Sequence, residues 1–142
     1  MMTKVEFLQN WYRQVWIEAD PDAVDRYFDP RTGADGLMPD GQVTPEDFKA
    51  LVPALLTLVR NLDITIDRSM EVGDWLWAQI SVHALAAGGT QPICAAGQVM
   101  MRIEGDKITE AYNCFDFLTF FAQAGLLPQD ALLLLLSGER MG

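Results

Sequence analysis

The sequence predicts an α+β domain in which helices pack against one face of a curved antiparallel sheet. Three observations carry that prediction. Apolar residues of the first sixty positions recur at three-and-four spacing, and those from Leu62 to Phe115 recur at spacing two. Turns containing glycine then separate the spacing-two segments. Helices, then hairpin-linked strands, then a helical tail is the order of an α+β fold.

The first helix runs from Thr3 to about Ala19. Val5, Leu8, Trp11, Tyr12, Val15 and Trp16 share one face, and Thr3 is placed to cap it. Asp20-Pro21 opens a short second helix carrying Ala23, Val24, Tyr27 and Phe28, which stops by Pro30. Asp29 to Gln42 is rich in Gly, Pro and Asp and reads as loop, with one or two short strands near Leu37-Met38. Thr44-Pro45-Glu46-Asp47 starts a third helix: Thr caps, Pro takes the first position, and the acids favour the positive end of the dipole. It is expected to reach about Asn61, kinked at Pro53.

Leu62, Ile64 and Ile66 alternate with Asp63, Thr65 and Asp67, a strand with one wet face. Gly73-Asp74, Gly88-Gly89 and Gly105-Asp106 then turn the chain between strands over 75–86, 93–103 and 108–115. A helix follows from Phe117 to about Ala124, stopped by Gly125. Pro128 opens a last helix, whose run from Leu132 to Leu136 is predicted to be a buried side.

Two-residue turns fix the expected faces. Glu104 then pairs with Lys107 and Cys114 falls opposite Gly97, so Cys94 and Cys114 are expected to be free thiols. One face carries Leu76, Ala78, Ile80, Val82, Ala95, Val99, Met101, Tyr112 and Asp116, and it is assigned to the helices. The other carries Trp75, Trp77, His83, Gln98, Met100, Asn113 and Phe115, a mixture suited to a protein–protein contact.

The 142 residues, read as one domain over 1–142, carry a net charge of −10. With its basic residues scattered, such a chain is not expected to bind nucleic acid or an anionic membrane. No secretory leader pattern is visible, and no apolar run approaches the roughly 18 residues of a membrane span. The expected compartment is therefore the cytoplasm. No metal-ligand spacing, phosphate loop or nucleophile elbow occurs, so neither metal nor cofactor is expected.

Asp116 stands where its surroundings ask for an apolar residue. It either caps the helix beginning at Phe117, or sits in an apolar setting that favours its protonated form and suits proton transfer. His83, the single histidine, is a candidate partner of a substrate or a surface residue. Tyr12 is a candidate for catalysis. Trp16, Tyr27, Met38, Tyr112, Asn113 and Phe120 are candidate ligand contacts, with core packing the alternative for the aromatics and a cross-strand pairing with Gln98 the alternative for Asn113.

Several segments resemble the nuclear transport factor 2-like superfamily, and within it the SnoaL-like polyketide cyclases. They are Val72-Gly73-Asp74 before a strand, Gly97 followed by Arg102-Ile103, Gly105-Asp106-Lys107-Ile108-Thr109-Glu110, and Asp116 leading into Gln123-Ala124-Gly125-Leu126-Leu127-Pro128. The resemblance implies a conical pocket between sheet and helices for a small, largely apolar molecule, and a homodimer formed through the sheet. It also implies Asp116 as general acid/base. Steroid-isomerase relatives place a second acid where Gln98 stands, and an Asp-Pro base in the region of Asp29-Pro30 and Asp40. Two functions are therefore expected as alternatives. One is acid–base chemistry of cyclase, isomerase or dehydratase type on a polyketide-like or carbonyl compound. The other is a ligand-binding or interaction module without turnover.

Overall fold

The computed structural model describes residues 2–140. Helix α1 (Lys4–Trp11) starts at a capping box in which the Thr3 side chain and Glu6 satisfy each other's backbone N–H groups. The helix continues as a wider π-helical segment, Tyr12–Ile17. A 3₁₀ turn (Pro21–Ala23) leads into α2 (Val24–Tyr27), and two residues form β1 (Ala34–Asp35). Then come α3 (Pro45–Leu56), β2 (Val59–Val72), β3 (Trp75–Ala86), β4 (Pro92–Glu104) and β5 (Lys107–Phe115). Helices α4 (Phe117–Gln123) and α5 (Ala131–Leu136) follow. The sheet order is β1-β5-β4-β3-β2, antiparallel except for β1, which runs parallel to β5.

Three expectations need correction. Helix α3 ends at Leu56 and not near Asn61, because Val59 and Arg60 pair with Ala86 and Leu85 of β3. Asn61 takes a φ of 55° in the bulge that joins this early pairing to the alternating stretch. The second correction decides the site. The pairing runs Glu104 to Lys107 and Ile103 to Ile108, but Arg102 pairs with Glu110, leaving Thr109 as an extra residue. Its hydroxyl donates to Glu104 Oε1 at 3.1 Å, and its carbonyl accepts from the Thr32 hydroxyl at 2.9 Å. Beyond Thr109 every β5 side chain changes face. Ala111, Asn113 and Phe115 therefore turn toward the helices, whereas Tyr112 and Cys114 (opposite Gln98, not Gly97) turn away. Third, the leucines of α5 are not a buried side: only Ala131 is buried, and Leu132, Leu133, Leu135 and Leu136 are exposed.

The helices cover the inner sheet face through an aromatic cluster. The Trp11 ring meets Tyr27, Phe28 and Phe48 at centroid distances of 5.6, 5.2 and 5.4 Å, each close to edge-on. Leu8, Val15, Val24, Val52, Leu76 and Ile108 complete the sealed interior. A smaller cluster of Ala84, Ala86, Ile93, Ala95 and Phe120 packs α4 against β3 and β4. The Gln123 side chain ties that helix to the sheet by accepting the Cys94 backbone N–H at 2.7 Å.

Candidate functional site

A cavity of about 130 Å³ lies between the helices and the inner sheet face. Helix α3 contributes Phe48, Leu51 and Leu55, whose three-and-four spacing puts them on one face. The sheet contributes Ile64, Ile80, Val82, Val99, Met101, Ala111 and Phe115, and α4 contributes Phe117 and Phe120. None of the lining residues carries a charge.

Two polar side chains interrupt this apolar surface. Tyr12 and Trp16, four positions apart and so on one helical face, both line the cavity from the π-helical segment. Tyr12 is buried as a residue, and its hydroxyl makes no hydrogen bond among the described residues but keeps some accessible surface, since Arg102 Nε is the one fully buried side-chain polar atom without a hydrogen-bond partner. Burial pushes its ionisation well above the usual phenol range, so Tyr12 is a neutral donor. Asn113 lines the cavity from β5, with its amide donating to the Asp35 carbonyl at 3.3 Å. Gly36 permits that arrangement, since a Cβ there would overlap the Asn113 backbone carbonyl oxygen.

The other candidates lie elsewhere. Asp116 is exposed and caps α4: Thr119 donates its N–H to Oδ1 at 3.0 Å and its hydroxyl to Oδ2 at 2.6 Å. The extra residue at Thr109 explains this placement, because it brings Phe115 inward and turns the next side chain out. Tyr27 lines the core and not the cavity, with its hydroxyl donating to Gln14 at 2.6 Å. Tyr112 lies on the outer face, stacked on Trp75 and hydrogen-bonded to Glu110 at 2.9 Å. His83 is exposed on the same face, between Asp63 and Cys94 in the register. Met38 is exposed, and its neighbour Leu37 lines the cavity in its place. Asp29 is held by Arg31, whose side chain and backbone N–H groups lower its pKa to about 2, and it does not line the cavity either.

The site therefore keeps Tyr12, Trp16, Asn113 and Phe120 together and separates them from Asp116 and His83. The contribution of α3 was readable as an apolar helix face, but nothing in its spacing distinguished cavity lining from core.

Two expected outcomes follow from these placements. Asp116→Asn should leave thermal stability within about 1 kcal/mol of the parent, since Asn caps nearly as well as Asp, while Asp116→Ala should cost about 0.5–2 kcal/mol. Denaturant unfolding of the two variants checks this. The second concerns pH. All three tyrosines are shifted upward: Tyr12 and Tyr27 by burial, Tyr112 by its hydrogen bond to Glu110. The fold keeps these protons while the unfolded chain releases them, so the stability they confer is complete below about pH 10 and declines above it. For Tyr12 alone the decline should be about 1.4 kcal/mol per pH unit. Unfolding at pH 8, 10 and 11, followed with tyrosinate absorbance, measures it.

No curated protein sequence matches the chain. Solved structures do match in fold. A candidate polyketide cyclase from Bacillus cereus ATCC 10987 superposes with a TM-score of 0.75 at 22% identity, over 87% of this chain and 80% of that one. A protein of ketosteroid isomerase-like fold from Catenulispora acidiphila DSM 44928, in complex with trimethylamine, gives 0.72 at 20% identity, over 88% and 95%. A candidate polyketide cyclase from Streptomyces antibioticus gives 0.73 at 14% identity, over 87% and 99%. At these identities the likeness establishes a ketosteroid isomerase-like fold. The family model for SnoaL-like polyketide cyclases matches residues 6–124, well over half of the sequence. The chain belongs to the SnoaL-like polyketide cyclase family.

Proposed function

We propose that this domain binds a small, largely apolar molecule in the cavity, with the Tyr12 hydroxyl and the Asn113 amide as its polar contacts. The observation that supports the reading is an apolar, uncharged lining interrupted by the Tyr12 phenol, whose hydroxyl makes no hydrogen bond among the described residues. A neutral naphthalene ketone dye should bind at one site per chain with blue-shifted emission. Leu51→Arg, which places a charge in the lining, should abolish the signal. Binding unaffected by Leu51→Arg would place the dye elsewhere and contradict the reading.

Family membership favours a second reading, turnover of a polyketide-like or carbonyl compound by cyclase- or isomerase-type chemistry. Tyr12 would then stabilise charge developing on a carbonyl oxygen. Asp116 would serve as general acid/base only by leaving its cap on α4, and His83 lies on the outer face. Turnover that survives Asp116→Asn but falls with Tyr12→Phe would assign the chemistry to the phenol. Loss in Asp116→Asn with ligand binding intact would restore the carboxylate.

We further propose that the outer sheet face packs against a second copy. Met70, Trp77, Met100 and Tyr112 form one cross-strand row, with Val72 and Trp75 in the next. Met70, Val72, Met100 and Tyr112 are 63%, 76%, 45% and 40% exposed, a continuous apolar band that water covers poorly. Phe115, expected in this band, faces the cavity, and Tyr112 takes its place. Sedimentation should give the mass of two chains, and Met100→Glu should give the mass of one. A single-chain mass for the parent rules the proposal out.

A further inference from the structure

We infer that α5 is a self-association element: two copies of the chain pair through its outward leucines. This contact is separate from the cavity and from the outer sheet face, and it depends on neither.

A short surface helix ordinarily turns polar residues to water and keeps its apolar stripe for the body of the protein. Helix α5 carries no polar side chain to turn. At about 100° per residue, Ala131 and Leu134 fall on one side, and the protein occupies that side. Ala131 is buried and Leu134 half-buried. The other four leucines fill a continuous arc of about 160°. In that arc Leu132, Leu133, Leu135 and Leu136 are 50%, 69%, 44% and 76% exposed. Leu126 and Leu127, in the segment between α4 and α5, add 56% and 37%. The arc is also held in shape. The Gly138 and Glu139 N–H groups donate to the Leu135 and Leu134 carbonyls at 3.1 Å each, with Gly138 at a φ of 92°. That closed helix end fixes the leucines before a partner arrives, which lowers the ordering cost of pairing.

Area and charge both point to a second copy as the occupant. At about 30 Å² for each buried carbon, the exposed parts of these six leucines come to roughly 400 Å². Two such faces bury roughly 800 Å² before flanking atoms are counted, the size of a weak, reversible contact. The leucine side chains offer no donor, acceptor or charge that would single out a different partner. Leucine packs on leucine, so the face complements its own copy about a two-fold axis. The nearest charges are Asp130 before the helix and Glu139 and Arg140 after it. An antiparallel pair opposes the two helix dipoles and brings Asp130 of each copy toward Arg140 of the other. Neither residue is in an ion pair among the described residues. The charge of −10 on each copy opposes association at long range, so the contact should tighten as salt is added.

The test is sedimentation equilibrium of Met100→Glu, the variant meant to remove the outer-face contact, from roughly 5 to roughly 500 µM. Its mass should climb from one chain toward two. Leu133→Lys with Leu136→Lys in the same background should weaken association by about a hundredfold or more and hold the mass at one chain. Both positions are exposed, so the fold should survive. Lysine lowers the net charge, so a loss of pairing could not be assigned to added repulsion. Whatever mass the unaltered chain starts from, the two lysines should abolish its climb as well. A climb that persists with the lysines, or a Met100→Glu mass of one chain throughout, overturns the inference. Binding to phosphatidylcholine vesicles without a rise in mass would overturn it in favour of a lipid surface. A dye titration altered by the lysines at constant mass would overturn it in favour of closure over the chain's own cavity.

Discussion

Trp11→Ala should destabilise the fold by about 3–5 kcal/mol, the cost of emptying a buried aromatic site that cannot collapse. The ring is buried and touches Tyr27, Phe28 and Phe48 at once, so its loss loosens α1, α2 and α3 together. Trp11 also lines the cavity, and the void left by its removal would join that space. The variant should therefore unfold at markedly lower denaturant and, where still folded, admit larger ligands. Chemical denaturation with and without the dye measures both. A loss below 1 kcal/mol would mean that the aromatic cluster is not the joint of the helical layer.

The second large effect is expected at Gly36. Its φ of 88° already disfavours any side chain, at about 1 kcal/mol or more. An added Cβ would overlap the Asn113 backbone carbonyl oxygen, so β5 and the loop after β1 would have to move apart. Gly36→Ala should cost about 2–4 kcal/mol in all. It should also disturb the Asn113 amide, which donates to Asp35 next to that glycine, and so weaken ligand binding. Asn113→Ala separates the two effects, since it removes the amide without the overlap. If Gly36→Ala proves neutral in stability, the close approach of the β1 loop to β5 is wrong.

The sequence exposed the helix starts and tight turns because each depends on a few adjacent residues. Thr3 and Thr44 as caps and the Gly105-Asp106 turn act locally, and each appears as read; the structure adds the reciprocal bonds of Glu6 and Asp47 to the caps. Bringing Tyr12 and Trp16 to one side, where both line the cavity, needed only their shared helical face. What alternation could not show was the extra residue at Thr109, set by contacts with Arg102, Glu104 and the distant Thr32. One signal was present. Ile108 and Phe115, both apolar, are an odd number of positions apart, and an uninterrupted strand cannot send both inward. That parity allows either an extra residue in the strand or an outward Phe115, so it marked the ambiguity without deciding the faces of Asn113, Tyr112 and Asp116.

Asn61 and the leucines of α5 illustrate the opposite limit. Strand β2 captures Val59 and Arg60 through pairing with β3, against a helical pattern that would have carried on. The run from Leu132 to Leu136 has no polar interruption, so composition alone favoured burial, yet only Ala131 is covered. His83 shows how one residue type misleads: its chemistry suits a site, but its place in β3 alternates with Val82 and Ala84 and so faces outward.

The central claim is that ligands enter the space between helices and sheet, not the apolar band on the outer face. Met100 and Met101 are neighbours in β4 with opposite directions: Met101 lines the cavity and is 2% exposed, whereas Met100 is 45% exposed on the outer face. Carbon-13 spectra of the methyl groups, recorded during an acetophenone titration, therefore test the claim most directly. Saturable shifts at Met101, Val99 and Ile80, with Met100 and Met70 unmoved, are the predicted result. Shifts confined to Met100 and Met70 would contradict it.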